Sequence, residues 1–342
     1  MARQEFKGFV TLLGGFLALL AATFFGLHNA LTRRGVLTGS VLQGLSISVP
    51  IGVPIFFVGA LATGGVGQIT GFPANSVLLL TTAGIAHFVW GRFCNYMAIQ
   101  AMGANLAGPV QQSSLLIALA MAIFFLGEVL TPLRLIGIFL ILSGPVVMLR
   151  SRKARKEKAP DEEPDKTATK FQPKYAKGYT FAFLSALGYG SSAVLIRAAV
   201  IDTGFGGSLA GGVIAYGAAA SVVIVVLLYP PFTREVTNMN RATAKWFTLS
   251  GIFVCTSQML RFMALAVAPV TVVTPIQQTT AIFRVIFGWL INREYEDFSV
   301  WVLTGIAVSL LGALTLTLST EFVIANLPLP DALISIARWQ WP

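Results

Sequence analysis

Apolar runs of about 20 residues, each long enough to cross a bilayer as a helix, recur along nearly the whole chain. Ten are read from the sequence: 9–32, 41–63, 77–100, 105–126, 132–149, 179–199, 209–229, 246–267, 272–292 and 298–318. One long hydrophilic segment separates the fifth from the sixth. The pattern predicts an all-α integral membrane protein with ten transmembrane helices. They divide into a five-helix unit over 1–149, a charged linker over 150–178 and a second five-helix unit over 179–319. A tail over 320–342 is too short and too interrupted by Pro328 and Pro330 to span; its Trp339 and Trp341 read as an interfacial anchor.

Composition agrees. Of 342 residues, 55% are hydrophobic and 11% charged, where a soluble domain has about 25% charged; the mean hydropathy is +0.76. The net charge of +10 does not point to nucleic acid, because much of the excess sits in 150–177. There a basic block precedes an acidic, proline-containing one, as expected of a solvated linker beside an anionic leaflet. The first apolar run is as long as a full span and lacks a small-residue cleavage site, so no removable signal peptide is expected. Cys94 and Cys255 fall inside spans and read as small buried hydrophobes, and His28 and His87 lack ligand-spaced partners, so neither metal nor cofactor is expected. No glycine-rich phosphate loop ending in Lys-Ser/Thr is present, which excludes ATP as the energy source. The spans offer no carboxylate pair or nucleophile–base set, which argues against an enzyme.

The two halves repeat one another. Pro109-Val-Gln-Gln-Ser-Ser114 returns as Pro275-Ile-Gln-Gln-Thr-Thr280 at an offset of 166, which also links Glu128 to Glu294 and aligns Tyr96-Met-Ala-Ile99 with Phe262-Met-Ala-Leu265. With slightly different offsets Gly26 matches Gly190, Arg33 matches Arg197 and Gly144 matches Gly312. A proline in a span frees a backbone carbonyl, and buried amides need partners. The same arrangement in both halves marks a shared site, with Pro109 and Pro275 as gating kinks. An odd number of spans per unit inserts the second copy upside down, giving inverted repeats suited to alternating access.

The chain resembles the drug/metabolite transporter superfamily, in its ten-helix EamA-type branch, over about residues 16–318. The resemblance rests on Phe25-Gly26 and Tyr189-Gly190 in the first span of each half and on the Ala-rich, proline-containing fourth and ninth spans. It also rests on Gly127-Glu128 before a glycine-punctuated fifth span; the second half departs at Asn292-Arg293-Glu294, without the glycine. The resemblance implies a secondary transporter with a central cavity between the halves and both termini in the cytoplasm. It implies no single substrate, since members carry amino acids, sugars, nucleotide-sugars, phosphates and drugs.

Three arginines, Arg92, Arg261 and Arg284, lie well inside predicted spans. Each costs about 2.5–3.5 kcal/mol on insertion scales, so about 8–10 kcal/mol together, and such residues face a cavity or a partner. No carboxylate lies at mid-depth in the sequence, which leaves backbone carbonyls, water or an anionic ligand. Helical spacing gathers polar groups beside them: Arg92, Asn95 and Tyr96 at i, i+3, i+4, Gln258 and Arg261 at i, i+3, and Gln277, Thr280 and Arg284 at i, i+3, i+7. The expected substrate site is therefore Arg92, Tyr96, Gln111, Gln112, Gln258, Arg261, Gln277, Gln278 and Arg284. Arg33, Arg34 and Arg197, at span ends, read as interface anchors. His28 is the one candidate for proton coupling, because His87 sits on a face without polar neighbours.

Most of the 24 basic residues fall on the linker side, so the positive-inside bias puts the linker in the cytoplasm and the termini outside, opposite to what the resemblance implies. The leading expectation is a secondary transporter of a small organic anion, phosphorylated or carboxylated, in a bacterial inner membrane, working by exchange or facilitated flux. Its expected partners are the small-molecule substrate and the lipid bilayer. The competing expectations are an exporter of amino acids or amphiphilic drugs, and a non-transporting membrane subunit of a larger assembly.

Overall fold

In a computed structural model the residues described are 2–126, 132–157, 172–200, 203–267 and 276–317, with Pro330 and Trp339. Every regular element among them is helical. The first half contains α1 (Ala2–Thr38), α2 (Val41–Ser48), α3 (Gly52–Ala62), α4 (Ala74–Gly84), α5 (Arg92–Met102), α6 (Ala104–Gln111), α7 (Ser114–Leu126) and α8 (Pro132–Glu157). The second contains α9 (Tyr175–Val200), α10 (Gly204–Leu227), α11 (Pro230–Thr237), α12 (Arg241–Val267), α13 (Thr280–Asn292) and α14 (Val300–Thr317). Pro275, Gly127-Glu128, most of the linker and nearly all of the tail lie outside the described residues.

Local sequence explains where these helices break. Ser40 and Gln43 form a reciprocal capping box that starts α2. Pro50 cannot donate to the ladder, so the predicted second span divides at 49–51 into α2 and α3. Between α4 and α5 the seven residues Ile85–Gly91 wind as a π-helix, so the third span is continuous but carries one wide turn. Gly103, at φ +87°, turns the chain from α5 directly into α6. Pro109 lies inside α6, and the ladder is interrupted just beyond it, at Gln112–Ser113, before α7 begins.

Five helices are long and apolar enough to cross a membrane: Leu13–Thr38, Val41–Ala62, Ala74–Met102, Tyr175–Val200 and Gly204–Leu227. The apolar stretches Leu135–Gly144 and Val300–Gly312 are shorter. Among the remaining predicted spans, the fourth is interrupted at Gln112–Ser113, the ninth is described only from residue 276, and α12 carries Arg241, Lys245, Gln258 and Arg261. Phe139, Val225, Leu290 and Leu311 stand exposed on the outside while Phe56, Phe88, Tyr96 and Tyr216 are buried. That is the arrangement of a multi-pass membrane protein, apolar toward lipid and partly polar within.

The halves interlock rather than sit side by side. α1 packs on α12 and α13 of the second half, and α9 packs on α4, α5 and α7 of the first. α3 crosses α10, and α8 lies along α14. At each crossing a glycine admits the facing chain. A β-carbon on Gly26 would lie 2.6 Å from Cβ of Phe283 in α13, and one on Gly190 would lie 2.5 Å from the Ser114 carbonyl in α7. Gly52 sits on the Tyr216 ring and Gly212 on the Phe56 ring; Gly144 meets the Gly305 carbonyl, and Gly312 the Gly137 carbonyl.

Two expectations about charge are corrected. Arg33 is no interface anchor: α1 continues to Thr38, so Arg33 is carried inside and is 0% exposed. The interior also holds a carboxylate that span assignment placed in a loop. Glu296, between α13 and α14, folds inward until its side chain is 1% exposed.

Candidate functional site

The polar interior is organised around Arg92. Its Nη1 donates to the Ser48 carbonyl at 2.6 Å and its Nη2 to the Tyr216 hydroxyl at 2.9 Å, while its guanidinium stands 5.5 Å from the Phe88 ring centroid. Ser48 is available because it lies at the break between α2 and α3. The Ile51 and Gly52 amides bond to Ile47 and Val49, leaving the Ser48 carbonyl outside the helical ladder. Cys255 approaches the same carbonyl at 3.5 Å, and the Tyr96 hydroxyl donates to Ser48 Oγ at 3.0 Å. Helices of both halves thus meet on one carbonyl, and Arg92 spends its donors on protein.

Both histidines are tied across the halves. His28 Nδ1 lies 3.1 Å from the Ser250 carbonyl, which can only accept, so this nitrogen carries the proton. Ser250 Oγ and Thr32 Oγ1 close the group, 2.7 Å apart. His87 finds its polar partners on other helices rather than on its own face. Ser192 donates to the Tyr189 carbonyl and lies 2.7 Å from His87 Nδ1, so His87 is the donor there. His87 Nε2 is then left to accept from Gln258 at 3.4 Å. Apart from Thr32, one turn along α1 from His28, the side chains that supply these contacts come from the other half of the chain, where helical spacing within one span could not show them.

The amide pairs divide. Gln111 donates to Asn95 of α5. Gln112 is buried with its Oε1 unpartnered. Gln277 and Gln278 are half-buried just before α13, and Arg261 is half-buried on α12, where its charge reaches His87. An apolar cleft of about 460 Å³, lined by Val110, Ile117, Leu142 and Phe183 with Ser113 and Tyr179 as its polar members, opens between α6–α7, α8 and α9.

Arg284 differs from Arg92. It is 5% exposed, and its Nε and Nη2 have no hydrogen-bond partner. Its guanidinium lies flat against Gly108, where a β-carbon would come within 1.8 Å of Cζ. One turn along the same α6–α13 seam, Gly288 faces Asn105, which is 0% exposed with both amide atoms unpartnered. Buried polar atoms almost always have partners. Here two side chains a turn apart on one seam hold atoms that lack them.

A further turn along, Glu296 closes the seam. Its carboxylate accepts from the Ala104 amide at 2.6 Å and the Asn105 amide at 2.9 Å, capping the N-terminus of α6. Arg33 Nε stands 3.7 Å away, while Nη1 and Nη2 of Arg33 hold the Ile99 carbonyl at 2.8 Å and the Tyr295 carbonyl at 2.9 Å. Burial pushes the Glu296 carboxyl above its ordinary value, opposed by Arg33, the two amides and Arg284. A β-carbon on Gly103 would come within 2.7 Å of the carboxylate, so the glycine turn is also what lets Glu296 in.

These observations describe a membrane-embedded core in which Arg33 and Arg92 are bonded to protein while Nε and Nη2 of Arg284 are not. Comparison with known proteins adds the following. No curated protein matches the chain. Of 21 solved chains that match, one, described only as a protein crystal structure, is 18% identical. It superposes with a TM-score of 0.60 over 91% of this chain and 98% of its own. That likeness concerns the fold alone. Residues 12–150 match the EamA-like transporter family, so the first half of this chain carries an EamA-like transporter domain of the drug/metabolite transporter superfamily.

Proposed function

We propose that the chain is a secondary transporter of a small organic anion, carboxylated or phosphorylated, in the cell membrane, and not an enzyme. The observation that carries this reading is Arg284. The Nε–H and Nη2–H of an arginine form one edge of its planar fork, with the spacing that a carboxylate or phosphate accepts in bidentate fashion. In Arg284 that edge is unpartnered inside an apolar core, and an anion would complete it. Arg261 adds positive charge without a carboxylate among its neighbours on α12.

The transport mode follows from the packing. Gly26 and Gly190, Gly52 and Gly212, and Gly144 and Gly312 make reciprocal crossings, each helix admitting the counterpart of the helix that admits it. This supports two inverted five-helix repeats, with alternating access by exchange of the two half-conformations. Without an ATP-binding loop, exchange or facilitated flux supplies the driving force.

The test is uptake and binding of labelled carboxylates and phosphate esters in proteoliposomes, with Arg284→Gln as the comparison. Loss of one charge-assisted pair, about 1.5–3 kcal/mol, weakens binding of an anion about 10- to 150-fold. An equal loss for anionic and neutral solutes would remove the charge-recognition role. The apolar cleft beside Val110 and Phe183 favours a second reading, export of amphiphiles. In that case an amphiphile competes with substrate and Phe183→Ala relieves the competition.

A further inference from the structure

The corner formed by Arg33, Glu296 and the start of α6 does more than join helices. We propose that Glu296 is the gate residue on the linker side of the membrane: its carboxylate seals the α6–α13 seam that leads to Arg284, and it leaves the α6 N-terminus when that mouth opens. This inference rests on the transport reading above.

Four observations converge on it. First, the position is right. Counting passages from α1, the end of α1, the end of α5, the start of α6 and the end of α13 all reach the membrane face that carries the linker. Glu296 and Arg33 bind all four there, through Ile99, Ala104, Asn105 and Tyr295. Second, the seam behind them holds two buried side chains, Asn105 and Arg284, with polar atoms that lack partners. Such groups are satisfied once water or an anion enters, so the seam as it stands is a closed state of something that opens. Gly108 and Gly288 line it with no side chain of their own to obstruct passage.

Third, the closing bonds are of a kind that can be exchanged. A carboxylate on two backbone amides at a helix N-terminus is held by oriented dipoles, and water can replace it at each one. Arg33 keeps the Ile99 and Tyr295 carbonyls when Glu296 departs, so opening strands no arginine. Fourth, the gate senses its site electrostatically. The charged groups facing Glu296 are Arg33 from α1 and Arg284 from α13, with Asp297 and Glu294 beside it on its own loop. Glu296 shares the field of Arg284 with any anion bound there, so arrival of the ligand weakens the hold on the gate. The other half carries no counterpart: the 166-residue offset places Leu130 opposite Glu296.

The test needs no substrate. Asn105→Cys keeps the backbone amide that Glu296 binds and puts a thiol in the seam. Cys94, 1% exposed, serves as an internal control for the fold. Purified protein in lipid nanodiscs is treated with sulfonatoethyl methanethiosulfonate, and labelling of each thiol is followed by mass spectrometry. With Glu296 present the introduced thiol reacts slowly. Adding Glu296→Gln speeds it at least tenfold while Cys94 stays protected, and Glu296→Asp, which keeps the charge, restores most of the protection. No acceleration would overturn the inference. Equal acceleration at Cys94 would overturn it too, by making the corner a structural tie. A seam that opens in a protein that moves no anion supports the gate and removes the anion reading instead.

Discussion

Arg92 and Arg284 are both buried arginines on facing halves of the interior, and their substitution by glutamine should have opposite effects on stability. Arg92→Gln removes charge-assisted bonds to the Ser48 carbonyl and the Tyr216 hydroxyl. Each is worth about 1.5–3 kcal/mol, and the loss leaves two buried acceptors short. Because the shorter amide can keep one of them, the expected net loss is about 3 kcal/mol. For a chain of this length that corresponds to a fall in the thermal midpoint of roughly 4 °C. Arg284→Gln removes a charge whose Nε and Nη2 bond to nothing. It relieves part of the roughly 2.5–3.5 kcal/mol cost of an arginine in the membrane, so the midpoint stays level or rises. Unfolding followed by intrinsic fluorescence in one detergent, at one scan rate, measures both. Substrate binding reads the other way, with Arg284→Gln losing affinity. A fall of several degrees for Arg284→Gln, equal to that of Arg92→Gln, would refute the division of labour.

Gly108→Ala places a methyl 1.8 Å from the Arg284 guanidinium; it should displace the fork and cut anion affinity about tenfold or more, read by equilibrium binding. Gly26→Ala and Gly190→Ala each overpack an α1 or α9 crossing and should each cost about 1–3 kcal/mol in detergent unfolding; a large effect at one and none at the other would speak against equivalent crossings. For Glu296, burial raises the folded carboxyl above its ordinary 4.5, so the folded protein binds that proton more tightly than the unfolded chain. Its contribution is full below about pH 4.5 and is lost as pH rises through the raised folded value, and Glu296→Gln should flatten that part of the stability profile. His28 bonds Ser250 through Nδ1; His28→Gln should leave turnover within a few fold, and uphill uptake driven by a pH gradient and abolished by this substitution would make His28 the coupling group.

Membrane class and the matching of the halves were legible because both are linear properties: hydropathy sums along the chain, and Pro109-Val-Gln-Gln stands in plain view of its copy. The buried arginines were legible as costs. What they bond was not, since Tyr216, Ser250 and Ser192 reach Arg92, His28 and His87 from the opposite half, 105 to 222 residues away. Pro50 marks the break in the second span, but the carbonyl it deprives of a donor is that of Ser46, four residues back, so it did not single out Ser48. Glu296 was missed because span assignment sorts residues by hydropathy. The segment 293–299 reads as a polar loop, and only the glycine turn at Gly103 and the amides of α6 draw one of its carboxylates inside. Arg33 was misplaced for the related reason that its cost is met by carbonyls, which every sequence has and none displays.

The wide turn at Ile85–Gly91 has a consequence for the duplicated plan. An extra residue in one turn rotates everything after it by about 100° relative to an uninterrupted helix, and α12, the counterpart strand of the plan, is a regular α-helix throughout. Arg92 and Gln258 occupy matching places yet meet different surroundings, a carbonyl and a phenol for one, an imidazole for the other. The wide turn thus sets two positions matched in sequence in unlike surroundings, so the two halves are not interchangeable around Arg92.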